Sequence, residues 1–150
     1  MENKKVFYVV TTIPSSLHFF KGQLSYLSND FDVVAISSDR YALEQFGNKV
    51  GIKTYCIPMK RAISLWDDFG SLIRFLVFFR RTSPDIVHGN TPKASFLSMV
   101  EAKLTGVSTR IYMCHGLRYQ GYSGPMRSLL NILELIFWYF STTVLSVSNG

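Results

Sequence analysis

Cysteine is scarce in these 150 residues: Cys56 and Cys114 are the two, with no metal-ligand spacing between them and no disulfide framework. They fit a reducing, cytoplasmic setting, as small buried hydrophobes. Charge is also thin, at 17% against 47% hydrophobic and 15% aromatic residues, a balance that excludes disorder. Long hydrophobic runs are missing. Arg74 interrupts residues 65–79, and Asn131 and Glu134 interrupt 129–140, so nothing reaches the ~18 apolar residues that span a bilayer. The opening Met1-Glu2-Asn3-Lys4-Lys5 and the apolar stretch after it imitate a short signal peptide, but Pro14 ends the run and no small-residue cleavage site follows. It reads as a first buried strand.

Glycine is absent from Thr11-Thr12-Ile13-Pro14-Ser15-Ser16-Leu17-His18, the turn that follows that strand. A dinucleotide pyrophosphate needs glycines there to approach the backbone, so no NAD or FAD fingerprint is present, and no P-loop occurs anywhere. The net charge of +6 is compatible with nucleic acid, an anionic membrane face or phosphorylated substrates. Because Lys and Arg are scattered and no RNA- or DNA-binding motif is present, nucleic acid is set aside.

What is present is alternation. Val6-Phe7-Tyr8-Val9-Val10 is a continuous apolar run suited to a strand covered on both faces. Ser15 or Ser16 is positioned to cap a helix in which Leu17, Phe20, Leu24 and Leu27 recur at i, i+3, i+7 and i+10. Residues 32–37 form the second strand, Asp39 starts a short helix through about Phe46, and residues 53–57 form the third strand, closed by Pro58. Ser64-Leu65-Trp66-Asp67 resembles a capping box, opening a helix that ends in Arg80 and Arg81. A fourth strand, Asp85-Ile86-Val87-His88, leads to Gly89-Asn90. Thr91-Pro92 then opens a helix that Gly106 stops. Residues 110–114 make the fifth strand, and Met126, Leu129, Leu130, Leu133, Ile136, Phe137 and Phe140 trace one helical stripe. Residues 143–147 are the sixth strand. Six strands alternating with helices select one α/β domain over 1–150: a doubly wound, mostly parallel, Rossmann-like sheet of order 3-2-1-4-5-6 with helices on both faces.

Ligands of such sheets lie at the carboxyl ends of the strands, near the place where strand order reverses. There, His88-Gly89-Asn90-Thr91-Pro92-Lys93 sets imidazole, carboxamide, hydroxyl and ammonium at one strand-to-helix corner. Asn90 suits sugar hydroxyls and Lys93 suits a phosphate; equally, Thr91 and Pro92 are capping residues, Lys93 is solvated and His88 is a core histidine. His115-Gly116-Leu117-Arg118 closes a largely apolar strand, so the imidazole emerges at the crevice mouth, with Arg118 shaped for a phosphate or carboxylate. The structural counterpart is a turn histidine beside a surface arginine. The helices of residues 65–81 and 126–140 raise a further question. One is apolar nearly all round and ends in a basic pair, and the other adds Trp138 and Tyr139. Docking to anionic lipid and packing against a partner domain both account for them.

Asp85-Ile86-Val87-His88-Gly89-Asn90-Thr91-Pro92-Lys93-Ala94, Arg110-Ile111-Tyr112-Met113-Cys114-His115-Gly116-Leu117-Arg118 and Val144-Leu145-Ser146-Val147-Ser148 together resemble the N-terminal domain of bacterial family 4 glycosyltransferases of the GT-B fold, of the capsular and surface-polysaccharide type. The resemblance covers nearly the whole chain. It implies a peripheral, cytoplasmic enzyme half that binds a lipid-linked saccharide acceptor, with a C-terminal domain holding the nucleotide-sugar donor. It further implies retaining transfer with no metal and no cofactor. On this reading His115 is catalytic and faces the donor sugar, while residues 11–18, including Thr12 and His18, line the acceptor side together with His88, Asn90, Lys93, Gly116 and Arg118. The family's frequent glycine pair is replaced here by Ile13-Pro14-Ser15-Ser16. The sequence stops at Asn149-Gly150, before the family's paired-glutamate donor motif, so that half is expected on a continuation of the chain or on a second polypeptide. A non-catalytic, membrane-recruiting subunit of a two-chain glycosyltransferase is the alternative, and a nucleotide-binding oxidoreductase domain is disfavoured by the missing glycines.

Overall fold

In the computed structural model, residues 4–62, 64–115 and 123–146 are described. Six parallel strands form one sheet in the order β3-β2-β1-β4-β5-β6: β1 (Val6–Val10), β2 (Asp32–Ser37), β3 (Lys53–Cys56), β4 (Ile86–Gly89), β5 (Thr109–Cys114) and β6 (Thr143–Ser146). This is the expected fold class. Between the strands run α1 (Lys21–Leu27), α2 (Arg40–Val50), α3 (Leu65–Thr82), α4 (Pro92–Leu104) and α5 (Pro125–Phe140).

Strand alternation divides the core in two. Tyr8, Val10, Val34, Ile36 and Val87 pack with Phe75 and Phe79 of α3 and Leu97 and Met99 of α4. Phe7, Val9, Val33 and Ala35 pack on the other face with Leu17, Leu24 of α1, and Leu43 and Phe46 of α2. The run of β1 is therefore buried on both sides, which is why it shows no polar alternation.

Local signals act largely as anticipated. The Asp39 carboxylate accepts from the Ala42 N–H at 3.0 Å to start α2, and Asp67 and Asp68 receive the hydroxyl and N–H of Ser64 at the start of α3. Three details differ. The chain after β1 enters a 3-10 segment, Pro14–Phe20, before α1, with Ile13 rather than Ser15 or Ser16 at its N-cap. Residues three apart eclipse in that tighter helix, so Pro14, Leu17 and Phe20 form one ridge turned inward. Helix α2 continues past Phe46 to Val50, until Gly51 takes a left-handed conformation (φ 78°). Finally, the stripe of α5 buries only Phe137 fully, against Tyr112 and Cys114, while Met126 and Leu129 stay about half exposed.

Candidate functional site

The carboxyl ends of β1 and β4, neighbours at the point where strand order reverses, are stitched together by polar groups. The Asn90 N–H donates to the Val10 carbonyl (3.0 Å), and the Thr11 N–H donates to the Ile36 carbonyl (3.0 Å). Thr12 donates its N–H to the Thr91 hydroxyl (3.0 Å) and shares a hydroxyl–hydroxyl hydrogen bond with it at 2.7 Å. The Ser38 hydroxyl donates to the Thr12 carbonyl, tying in β2. Thr91 is the N-cap residue of α4, as its place before Pro92 foretold, yet its hydroxyl caps nothing in the helix. It serves Thr12 instead.

Beneath this clasp the Asn90 side chain is 1% exposed, and neither its oxygen nor its nitrogen has a hydrogen-bond partner. A buried carboxamide left unpaired costs about 1–3 kcal/mol. Such a group at a strand end is suited to a ligand's hydroxyls. The Ser95 hydroxyl, also buried and unpaired, lies where a Cβ on Gly89 would fall, 2.6 Å away. Only glycine fits at that approach of α4 to β4.

Two imidazoles share one aromatic ring. The Phe20 centroid is 6.3 Å from that of His88 and 6.2 Å from that of His115. His88 is buried, edge-on to Phe7 as well, with its Nε2 unpaired; burial, and secondarily the neighbouring His115, pushes its pKa down to about 4. It is a neutral imidazole inside an aromatic wall. His115 stands just past β5 and is exposed. The two histidines thus lie on one face of the sheet, that of α1 and α2, and only His115 faces solvent.

The other expected residues disperse somewhat. His18 is exposed and sits edge-on to Phe46 of α2 at 5.2 Å. Lys93 is drawn toward α3, where Asp68 and the Ala62 carbonyl accept from its ammonium. Gly116 and Arg118 lie outside the described residues. Sequence reasoning passed over Phe20, counted only as helix stripe, as well as Ser38, Asp68 and Ser95. A hint of Ser95 was available in Gly89, since a glycine inside a strand marks close approach by another segment. Among the described residues, no group of three or more His, Cys, Asp or Glu side chains could hold a metal ion. A surface hollow at the opposite end of the strands, beside Lys4, Asp32 and Lys53, contains none of the expected residues.

An open parallel sheet of order 3-2-1-4-5-6 with helices on both faces is a Rossmann-like fold, and here polar side chains gather where its order reverses. The chain belongs to the glycosyl transferase 4-like family, which it matches over residues 5–148. It is 34% identical over 151 positions to the capsular polysaccharide biosynthesis glycosyltransferase CapM of Staphylococcus aureus, a match covering 100% of this chain and 39% of that protein. The chain therefore spans about two fifths of the length of that curated relative. Among solved structures it is similar to a UDP-N-acetylglucosamine 2-epimerase from Rickettsia bellii (TM-score 0.69, 19% identity, 99% of this chain and 40% of that one). It is also similar to HepE of Anabaena, solved with UDP and glucose (TM-score 0.70, 8% identity, 93% of this chain and 37% of that one). At those identities the likeness is one of fold.

Proposed function

We propose that this chain is the acceptor-binding N-terminal domain of a glycosyltransferase that moves a sugar from a nucleotide-sugar to a lipid-linked saccharide in polysaccharide assembly, at the cytoplasmic face of the membrane. The observation that carries the proposal is Asn90: a buried, unpartnered carboxamide at the strand-order reversal of a family member. Its donors and acceptor meet acceptor hydroxyls, and the Thr12–Thr91 clasp holds the two flanking loops at fixed spacing. A second, donor-binding lobe closes over the same edge. His115, the imidazole open to that side, hydrogen-bonds a hydroxyl of the donor sugar as its bond to the nucleotide diphosphate breaks and the acceptor hydroxyl adds to the same carbon with retention, its proton passing to the departing diphosphate oxygen. Gly116 and Arg118 are assigned as contacts for the sugar and its phosphates, and His18 to the acceptor rim. His88, walled off behind Phe20, shapes the floor without touching substrate. Lys93 steadies the corner through Asp68 and Ala62 and is assigned to a phosphate through its remaining N–H. No metal or cofactor enters this scheme.

The test is transfer by the full-length protein from a panel of nucleotide-sugars to lipid-linked acceptors, beside His115→Ala. A loss of more than ~10-fold, about 1.4 kcal/mol of barrier, supports the role given to His115. Undiminished transfer in that variant overturns it, and absence of transfer from every donor overturns the enzyme reading itself.

A further inference from the structure

Asn90 does not stand alone beneath the clasp. The ladders of β1 with β2 and β4 pair Val10 with Ile36 and with Gly89, so Thr11, Ser37 and Asn90 lie side by side one step further on. The Thr11 and Asn90 N–H groups extend the two ladders that far. Strand alternation turns all three side chains toward the face of α1 and α2, in line with Val9, Ala35 and His88. Thr11 and Ser37 are fully buried, as Asn90 is. The Thr11 hydroxyl donates to the Ile13 carbonyl at 3.3 Å, whereas the Ser37 hydroxyl, like both ends of the Asn90 carboxamide, has no hydrogen-bond partner among the described residues.

The chain leaving Thr11 folds back over this face as the 3-10 segment Pro14–Phe20. Leu17 joins the core cluster of Val9 and Ala35, and Phe20 stands against His88. That attachment is apolar. Among the described residues, no side-chain hydrogen bond or salt bridge ties Ser15, Ser16 or His18 to another element, and the segment has no side-chain cap. Its seven residues are also long for a 3-10 run, whose hydrogen bonds are poorly aligned. An apolar underside therefore rests on polar groups that bear a desolvation penalty while it stays down. We infer that Pro14–Phe20 is a movable cover, and that Ser37 and Asn90 beneath it form a subsite for an uncharged polar ring of the acceptor. Lifting the cover pairs these groups and exposes Leu17 and Phe20, so the two arrangements lie close in free energy and the ligand selects the open one.

Spacing and charge select the ligand. Adjacent strands are about 4.8 Å apart, which sets Ser37 and Asn90, two strands apart, roughly 10 Å from each other. One sugar ring lying over Thr11, with a hydrogen bond at each end, spans that distance. Buried charge is missing from this face among the described residues. His88, one step deeper, is kept neutral by burial, with its pKa down to about 4, and Glu101, a buried carboxylate, lies on α4 across the sheet. A phosphate on the row would lose its hydration and meet no cation, so the acceptor's sugar occupies the row while its phosphates stay outside the cover. This inference rests on the acceptor-binding reading above and adds Ser37 and the motion to it.

Thiol labelling tests the cover. Ser37→Cys is made in the full-length protein with its other cysteines replaced by alanine, and the introduced thiol is exposed to a methanethiosulfonate reagent under native conditions. Labelling is expected about tenfold or more faster than global unfolding of the same protein, because the cover opens locally. Leu17→Ala, which loosens the cover, speeds it about fivefold, and the lipid-linked saccharide that supports transfer slows it about tenfold. Kinetics test the subsite in the protein with its natural cysteines. Ser37→Ala is expected to raise the acceptor KM about fivefold, with kcat and the donor KM within about twofold and the melting temperature no lower. Leu17→Ala is expected to lower the acceptor KM, since less of the binding energy goes into opening. The inference is overturned if the thiol reacts only as fast as the protein unfolds, if the acceptor gives no protection, or if Ser37→Ala leaves the acceptor KM unchanged. A rise in KM that merely follows a lower melting temperature also overturns it, by showing that the hydroxyl has a structural partner. Should the natural protein transfer to no acceptor, the enzyme reading fails and the subsite with it, while labelling still decides the cover.

Discussion

Thr12 and Thr91 are 79 residues apart in the chain, and their hydroxyl oxygens are 2.7 Å apart in space. The pair closes the gap between the loops after β1 and β4, and it also receives the Thr12 N–H. Thr91→Val keeps the shape and removes both bonds, leaving that N–H unpaired. The expected cost is about 1–2 kcal/mol of unfolding free energy, read as a lower urea midpoint. Thr91→Ser restores most of it. If the clasp also positions the acceptor, as proposed, Thr91→Val raises the acceptor KM several-fold in the full-length enzyme with kcat less affected.

Asn90 gives a prediction in which stability and function part company. Replacing an unpaired buried carboxamide with an apolar group of similar size removes a desolvation penalty. Asn90→Leu is therefore expected to hold or raise the melting temperature while lowering transfer by more than ~10-fold, a trade seen where a site stores unmet polarity. A variant that melts many degrees lower, with activity lost in proportion, shows instead that Asn90 has a structural partner.

Gly89 sets the distance between β4 and α4. A Cβ there would stand 2.6 Å from both the Cα and the hydroxyl of Ser95 and 2.9 Å from its Cβ, and backbone cannot step aside as a side-chain tip does. Gly89→Ala is expected to cost about 1–3 kcal/mol by overpacking. Because α4 begins two residues after Asn90, the displacement reaches the site as well. Ser95→Ala alone, which deletes only an unpaired hydroxyl, is expected to be nearly neutral to stability. Chemical denaturation of both variants checks the contrast.

The sheet order was legible because each strand is a short apolar run bounded by its own punctuation. Val6-Phe7-Tyr8-Val9-Val10 reads as doubly covered, and His88, Asn90 and His115 fall at strand ends by counting alone. The 3-10 segment was not legible, since Leu17, Phe20, Leu24 and Leu27 satisfy an α-helical period just as well, and the tighter turn followed by α1 is a tertiary choice. Thr91 read as a cap because local spacing offers that partner, whereas its actual partner lies 79 residues upstream. Lys93 read as a free cation for a like reason: Asp68 meets it only once α3 and α4 pack side by side. In α5 the period was right, but a stripe shows which way a helix faces and not how much lies opposite it.

His88 ties pH to stability, and the direction follows from its surroundings. Burial among Phe7 and Phe20 disfavours the charged ring, so its pKa in the folded protein is about 4, below the ordinary 6.5 of an exposed histidine. Above pH 6.5 neither state carries this proton, and the native state bears no penalty from it. As pH falls from 6.5 to 4 the unfolded chain takes up the proton and the folded one does not, so unfolding is progressively favoured, by about 3 kcal/mol over the whole window. Below pH 4 the native imidazole is protonated too, and the contribution levels off. The carboxylates add their own slope at the acid end, so the quantity to measure is the difference between the natural protein and His88→Phe, which has no proton to gain. Urea midpoints taken at intervals from pH 7.5 to 4 are expected to fall more steeply for the natural protein between 6.5 and 4, and the two curves are expected to run parallel above 7. Parallel curves throughout show that His88 titrates normally and that the aromatic wall is open to water.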